Sequence, residues 1–341
     1  MNGSPYGPYN PYNPYFDPVL YERAQGEKHQ LKQTANGLCI TLLASMLFVY
    51  VVAILGKVYL NGIGYTPDYT NPDFSGYTPV LYYLLEGITY LLGLTMPALL
   101  YLAIRHIPLR EVLPFQKTGF LKTGAFVFFG VAVCMLANFP ANIVANIEKA
   151  FGFNPDLSLP LTNDPAVLAL YFITLAVAPP IVEELIFRGI ILQSFRRFGD
   201  GFAVVASAML FGLFHGNFVQ MIFAFIAGLV MALAVVRTNS LLPSILIHFC
   251  NNSISFAITA TQRLYGDTAV TYVNNAVFGV SIILGIGALF YLWSKDRHLF
   301  QGDAGNPMFR LPAKIKALFF NFGGVCMLIY AFASSLWVLT K

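Results

Sequence analysis

Long apolar runs recur along the chain after residue 36, and they limit its fold more than any other feature. They lie at about residues 37–56, 79–104, 123–145, 166–193, 202–215, 217–236, 241–260, 273–294 and 317–339. A helix needs about 20 mostly apolar residues to cross the hydrocarbon core of a bilayer. We therefore predict an all-α polytopic membrane helical bundle of eight or nine transmembrane helices. The count stays open because the run at 202–215 spans only about 21 Å as a helix.

The composition supports a membrane protein and argues against other classes. Hydrophobic residues make up 57% of the 341 residues and charged residues 11%, against about 25% charged residues in soluble domains. The net charge of +4 is too diluted in apolar sequence for a nucleic-acid-binding protein. The lipid bilayer is thus the expected partner, and nucleic acid is not.

Prolines recur at intervals of three or four residues in the amino-terminal segment NGSPYGPYNPYNPYFDP, residues 2–18. They prevent regular helix and strand hydrogen bonding, and the Tyr and Asn side chains keep the segment solvated. We predict a disordered Pro/Tyr-rich cytoplasmic tail over residues 1–35. The transmembrane domain follows over residues 36–341.

Lysine and arginine residues indicate the orientation of the bundle in the membrane. With nine crossings and a cytoplasmic amino terminus, fifteen of the twenty Lys and Arg residues face the cytoplasm. Four face outside, namely Lys57, Lys149, Arg263 and Lys341, and Arg188 lies within a span. Because cytoplasmic loops are enriched in Lys and Arg, we predict an integral multi-pass protein with its amino terminus in the cytoplasm.

Six ionisable side chains lie inside the predicted spans. They are Glu86, Glu183, Glu184, Arg188, His215 and His248. Each costs at least about 2.5 kcal/mol in hydrocarbon, so such groups persist mainly where they form pairs or line a wet cavity. Five of the six fall between residues 183 and 248, which indicates one site; Glu86 has no assigned role.

The first cluster lies in the segment APPIVEELIFRG, residues 178–189. Pro179 and Pro180 either kink the helix or begin a new one, and we favour a new helix. Glu184 and Arg188 are spaced i, i+4 and can form an ion pair. Glu183 then faces about 100° away and is free to line a cavity. The alternative is that both glutamates only balance Arg188.

The histidines form two further clusters, with Phe211 one turn before His215 and with His248 four residues before Asn252. His248 and Asn252 project from one helix face, so both can stabilise a developing oxyanion. The alternative is that they only hydrogen-bond neighbouring helices. Counting the helical rise from the span ends suggests that all the clusters converge on one cavity, which we expect to open toward the cytoplasm.

The motifs EE-x-x-F-R (Glu183 to Arg188), F-x-x-x-H (Phe211 to His215) and H-x-x-x-N (His248 to Asn252) occur in this order on successive spans. In this they resemble the CPBP family of intramembrane metalloproteases. This family comprises the type II CAAX prenyl endopeptidases and the prokaryotic Abi proteins linked to bacteriocin processing. The resemblance covers about residues 160–260 and implies a protease-like core there.

The resemblance also implies roles for single residues. Glu183 would activate the attacking water with help from His215, while His248 and Asn252 would stabilise the oxyanion. Glu184 and Arg188 would be supporting residues. If a divalent metal such as zinc is bound, its candidate ligands are Glu184, His215 and His248. The sequence leaves the metal open, because it lacks the H-E-x-x-H motif of zinc proteases.

The predicted function is hydrolysis of a peptide bond in a membrane-associated protein or peptide by an intramembrane endopeptidase. The substrate is either a CAAX-type prenylated tail or a peptide or bacteriocin precursor, and we predict a prokaryotic cell membrane as the location. Two alternatives stay open. One is an ion- or metal-coupled transporter, because such proteins also use buried Glu and His. The other is a catalytically silent scaffold of the same fold.

Overall fold

The computed structural model describes residues 18–68, 70, 73–153, 161–301 and 310–340, and every long element in these ranges is helical. The helices are α1 (Pro18–Gly62), α2 (Pro79–Ile104), α3 (Phe120–Ala150), α4 (Pro165–Arg196), α5 (Asp200–Phe214), α6 (Phe218–Thr238), α7 (Leu242–Lys295), α8 (Leu311–Phe319) and α9 (Phe322–Leu339). Single helical turns lie at Asp73–Gly76 and Leu109–Val112. The predicted all-α fold is confirmed.

Seven of the described helices are long and apolar enough to cross a membrane, namely α1 to α4, α6, α7 and α9. The 54 residues of α7 would extend about 81 Å, which is too long for one crossing. Gly266, at φ 78° and ψ −179°, divides it into two helices. The short run predicted at 202–215 corresponds to α5, which has 15 residues. Eight of the predicted apolar runs thus lie essentially within single described helices, whereas the run 317–339 begins in α8 and is interrupted at residues 320–321 before α9.

Contacts near the helix ends distinguish the two ends of the bundle. At one end Lys122 Nζ donates to the carbonyl oxygen of Arg237 at 2.9 Å, and Arg196 Nη1 donates to Asn239 Oδ1 at 3.1 Å. We call this the basic end. At the opposite end, Arg263 Nε donates to Asn163 Oδ1 at 3.2 Å. The side assignments that the charge count required are therefore consistent with the packing, whereas the compartment that each end faces stays a prediction.

Helix α1 begins at Pro18, where the sequence predicted a disordered tail as far as residue 35. Ala24, Leu31, Ala35 and Leu38 are all buried. Their spacing of seven, four and three residues places them on one helix face. Because polar residues separate these four positions, the segment contains no continuous apolar run that would have predicted a helix. The predicted tail over residues 1–17 lies outside the described residues.

Close packing of α4, α5 and α6 fixes the centre of the bundle. Ser207 of α5 donates its hydroxyl hydrogen to the carbonyl oxygen of Phe187 in α4 at 2.8 Å. Gly228 of α6 lies so near Ala208 of α5 that an added Cβ would be 3.1 Å from the Ala208 Cα. Small residues that allow such approach are typical of helix contacts in membranes. The ionisable residues of α4 are thereby held against α5 and α6.

The amino terminus of α9 is anchored on α1. Asn36 Oδ1 accepts a hydrogen bond from the backbone N–H of Gly323 at 2.7 Å. This N–H belongs to the first turn of α9, where backbone donors have no partner within the helix. The amide of Asn36 therefore satisfies a helix end across 287 residues of sequence.

We predict that Asn36→Ala lowers the free energy of unfolding by about 1 to 3 kcal/mol, because a partly buried backbone donor loses its partner. Thermal unfolding of the purified protein in detergent measures this change. Gln33→Ala is the matched control, since the exposed Gln33 bonds only to His29 of the same helix. Equal midpoints for the two variants would contradict the prediction.

Candidate active site

Helix α4 passes two successive prolines without breaking. It contains π-helical turns at Ile173–Val177 and Leu185–Ile191, on either side of the α-helical segment Ala178–Glu184. The carbonyl of Leu175 would pair with residue 179 in an α-helix or residue 180 in a π-helix, and both are prolines without an N–H. Asn252 Nδ2 donates to this carbonyl at 2.9 Å instead. The expected new helix at Pro179 is therefore replaced by a continuous helix with a widened turn.

The carboxylate of Glu183 is held at one oxygen only. Its Oε1 accepts a short hydrogen bond from the hydroxyl of Tyr90 in α2. Its Oε2 has no hydrogen-bond partner among the described residues and lies 3.9 Å from His248 Nε2. That separation is too long for a direct hydrogen bond. One oxygen of a buried carboxylate is thus fixed and the other is available.

Glu184 faces away from Glu183 and forms the ion pair that its spacing predicted. Its Oε1 is 2.9 Å from Arg188 Nη1 and also 2.9 Å from His248 Nδ1. The side chains of Glu184 and Arg188 have no exposed surface. Arg188 also donates from Nη2 to the carbonyl of Gly228 at 3.3 Å and lies 4.3 Å from the centre of the Phe211 ring. The pair therefore ties α4 to α5, α6 and α7.

Hydrogen bonds determine which ring nitrogen of each histidine faces the site. His215 Nδ1 is 2.8 Å from the carbonyl oxygen of Phe211. A carbonyl oxygen only accepts, so Nδ1 carries the hydrogen and Nε2 keeps a lone pair in the neutral ring. His248 Nδ1 likewise faces the Glu184 carboxylate, so it carries the hydrogen and His248 Nε2 points toward Glu183. Phe211 contacts both histidine rings edge-on.

Asn252 forms a hydrogen bond to a neighbouring helix, which was the alternative to an oxyanion role, and its acceptor was not identified from the sequence. One of its amide hydrogens is used on the Leu175 carbonyl, and its Oδ1 accepts from Asn251 Nδ2 at 3.2 Å. Its second amide hydrogen is still available for another acceptor. Asn252 therefore joins the widened turn of α4 to the face of α7 that carries His248.

The predicted catalytic residues surround one cavity of about 560 Å³. Its lining includes Glu183, His215, His248 and Asn252. Glu184 and Arg188 are not part of the lining, and they lie behind His248 and Phe211 as supporting residues. The structure thus brings together the four residues predicted to be catalytic, and it adds Tyr90 from α2.

We expected the cavity to open toward the cytoplasm, the side to which the charge count assigns the basic end, but the cavity does not extend toward that end. Glu183 is about 20 Å from Arg196 along α4, but Phe187, Ile191 and Phe195 between them are at most 1% exposed. The cavity extends the other way, to Asn142 of α3 and Gln220 of α6. The helical rise per residue correctly predicted that these side chains meet at one cavity. It could not predict at which end large apolar residues block that cavity.

The predicted metal ligands are not assembled as a ligand set. Among the described residues, no group of three or more His, Cys, Asp or Glu side chains is arranged to hold a metal ion. Glu184 is enclosed, and its Oε1 already bonds Arg188 and His248. These residues do not fit a zinc site in this arrangement. Zinc stays a prediction of the resemblance.

Two residues of α2 differ from what the sequence indicated. Tyr90 was not among the candidate residues, yet it bonds Glu183. Glu86, which had no assigned role, does not line the cavity. Glu86 has a favourable electrostatic interaction with Lys57 of α1. Both residues are exposed on the surface of the bundle.

We predict that Arg188→Met lowers the free energy of unfolding by about 3 to 5 kcal/mol, because it leaves the buried Glu184 carboxylate without its partner. Arg196→Met is the matched control. Arg196 also pairs at i, i+4, with Asp200 at 2.8 Å, but its side chain is 28% exposed, so the loss should be at most about 1 kcal/mol. Thermal unfolding in detergent compares the two variants, and equal losses would show that burial of the pair is unimportant.

A family model matches the segment that carries all three motifs. Residues 165–254 match the family described as Rce1-like, type II CAAX prenyl endopeptidase. No curated protein and no solved structure matches the chain significantly. The matched segment begins with α4 and ends just after Asn252, so it contains every residue predicted to be catalytic. The resemblance to the Rce1-like type II CAAX prenyl endopeptidases is therefore confirmed for residues 165–254.

Proposed function

We propose that the protein is an intramembrane endopeptidase that hydrolyses a peptide bond of a membrane-associated protein or peptide. The observation that carries the proposal is the carboxylate of Glu183. Tyr90 fixes one of its oxygens, and the other is unpaired at a cavity shared with His215 and His248. An ionisable group at such a position inside a span is retained mainly for a function.

Glu183 acts as the general base in this proposal. Its free Oε2 accepts a proton from a water molecule as the water oxygen attacks the substrate carbonyl carbon. The lone pair on His215 Nε2 provides a second acceptor that orients the same water. The buried surroundings strengthen these interactions because they exclude bulk solvent.

His248 and Asn252 stabilise the tetrahedral intermediate. The oxyanion accepts hydrogen bonds from the free amide hydrogen of Asn252 and from His248 Nε2. Because His248 Nδ1–H is already directed at Glu184, His248 donates from Nε2 only when its ring carries both protons.

Collapse of the intermediate completes the hydrolysis. The carbonyl reforms, the carbon–nitrogen bond breaks, and the proton held by Glu183 passes to the leaving nitrogen. The products are one new carboxyl terminus and one new amino terminus. This route needs no covalent enzyme intermediate and hence no Ser or Cys nucleophile.

Two substrate classes are compatible with this chemistry. The matched family is described by its action on CAAX-type prenylated tails, and a peptide or bacteriocin precursor presents the same kind of bond. A cavity of about 560 Å³ accommodates only a short extended segment of either. We propose cleavage near the end of a flexible chain for this reason.

We predict that Glu183→Gln lowers cleavage at least about 100-fold, since the base is removed and the shape is kept. Mass spectrometry of peptide ends compares membranes from cells that express the variant or the wild type at equal levels. Glu86→Gln is the matched control, because Glu86 lies in a span but outside the cavity, and it should cleave like the wild type. New termini that persist in Glu183→Gln would refute the proposal.

We predict that Tyr90→Phe lowers kcat about tenfold to 100-fold with little change in KM. It removes one hydrogen bond to a charged group, which is worth about 1.5 to 3 kcal/mol, and leaves the ring in place. Tyr171→Phe serves as the control because Tyr171 lines the same cavity without bonding Glu183. Steady-state kinetics on purified protein separate kcat from KM. A Tyr90→Phe enzyme with normal kcat would show that fixing Oε1 is not needed.

A further inference from the structure

We propose that the substrate reaches the catalytic cavity from the end opposite the basic end, on the outer side of the membrane. The substrate is then an exported peptide or an outer segment of a membrane protein. The inference rests on the proposed function in assuming that the cavity takes a substrate. The side from which the substrate arrives depends on separate observations.

Buried side chains close the cavity at the basic end. Directly below Glu183 on α4, Phe187, Leu192 and Phe195 are at most 1% exposed, and Arg188 has no exposed surface. On α7, Ser244 and Ile247, which precede His248, are fully buried as well. A peptide from the basic end would have to displace this packed core.

Polar and exposed side chains line the cavity in the other direction. Asn142, Gln220 and Ser255 belong to its lining, and all three are exposed. Gln220 is about 27 Å from the basic end of α6, and Asn142 is about 33 Å from the basic end of α3. The buried pair Glu183 and His248, each 7% exposed, lies at the inner end. The exposed residues of the lining thus lie toward the opposite end and not at the catalytic pair.

The distribution of basic residues assigns this opening to a side of the membrane. The nine-crossing topology predicted from the sequence places fifteen of the twenty Lys and Arg residues at the basic end, and cytoplasmic loops carry such an excess. The cavity mouth then faces outward. A prenylated tail of a cytoplasmic protein would meet the closed end, whereas an exported chain would meet the open one.

The chemistry of the mouth indicates the kind of chain that it accepts. Ionisable lining residues are concentrated at the catalytic centre, and no Lys, Arg or Asp belongs to the lining. Amide and hydroxyl groups, as in Asn142, Gln220 and Ser255, can donate to and accept from a peptide backbone. An extended, uncharged segment therefore fits better than a strongly charged one.

Two matched cysteine variants test the side of access. Gln220→Cys lies at the mouth and Gln116→Cys in the loop at the basic end, and both glutamines are exposed. Intact cells are treated with a membrane-impermeant maleimide, and labelling is read above that of the wild type, which carries four native cysteines. We expect Gln220→Cys to label at least tenfold more than Gln116→Cys, and the order to reverse in inside-out vesicles. The opposite order in intact cells would overturn the inference.

A second measurement tests whether the mouth is the route of the substrate. Cleavage by each cysteine variant is compared before and after modification with a bulky maleimide. We expect modification to reduce cleavage at least tenfold for Gln220→Cys and less than twofold for Gln116→Cys. Unchanged cleavage by modified Gln220→Cys overturns the route while the proposed endopeptidase stands. Outward labelling together with Glu183-independent cleavage would instead overturn the proposed function alone.

Discussion

The ion pair between Glu184 and Arg188 is the contact on which the centre of the bundle depends. Two opposite charges without exposed surface are tolerated in an apolar interior only when each is paired and further hydrogen-bonded. Arg188 obtains this from the Gly228 carbonyl and the Phe211 ring, and Glu184 obtains it from His248. These contacts hold α5, α6 and α7 against α4. The contact between Glu184 and His248 also orients the His248 ring.

The widened turn of α4 is a second feature that both packs helices together and positions a residue of the site. Two prolines deprive the Leu175 carbonyl of a partner within the helix, and Asn252 supplies one from α7. The residue that is proposed to stabilise the oxyanion is therefore also held by a defect in the neighbouring helix. Such turns are frequent at functional sites, and here the physical reason is the absence of two backbone donors.

Much of the fold and part of the site could be predicted from the sequence, because both follow from local patterns. The apolar runs predicted the helices, and the spacing of Glu184 and Arg188 predicted their pairing. The contact of Tyr90 with Glu183 spans 93 residues and has no local signal. The bond from Asn252 to Leu175 was equally hidden, because its acceptor is a backbone atom. The direction of the cavity depends on how the large apolar residues of α4 pack, which no single segment encodes.

The carboxylate of Glu183, the proposed base, lies inside the segment that matches a known family, but the tyrosine that holds it comes from α2, well before residue 165. In the proposed mechanism, the residues needed for activity therefore extend beyond the matched segment, residues 165–254. A fragment limited to the matched residues would carry every motif and still lack the group that orients its base. In this chain, divergence of the flanking helices can alter the reactivity of the centre while the motifs themselves stay unchanged.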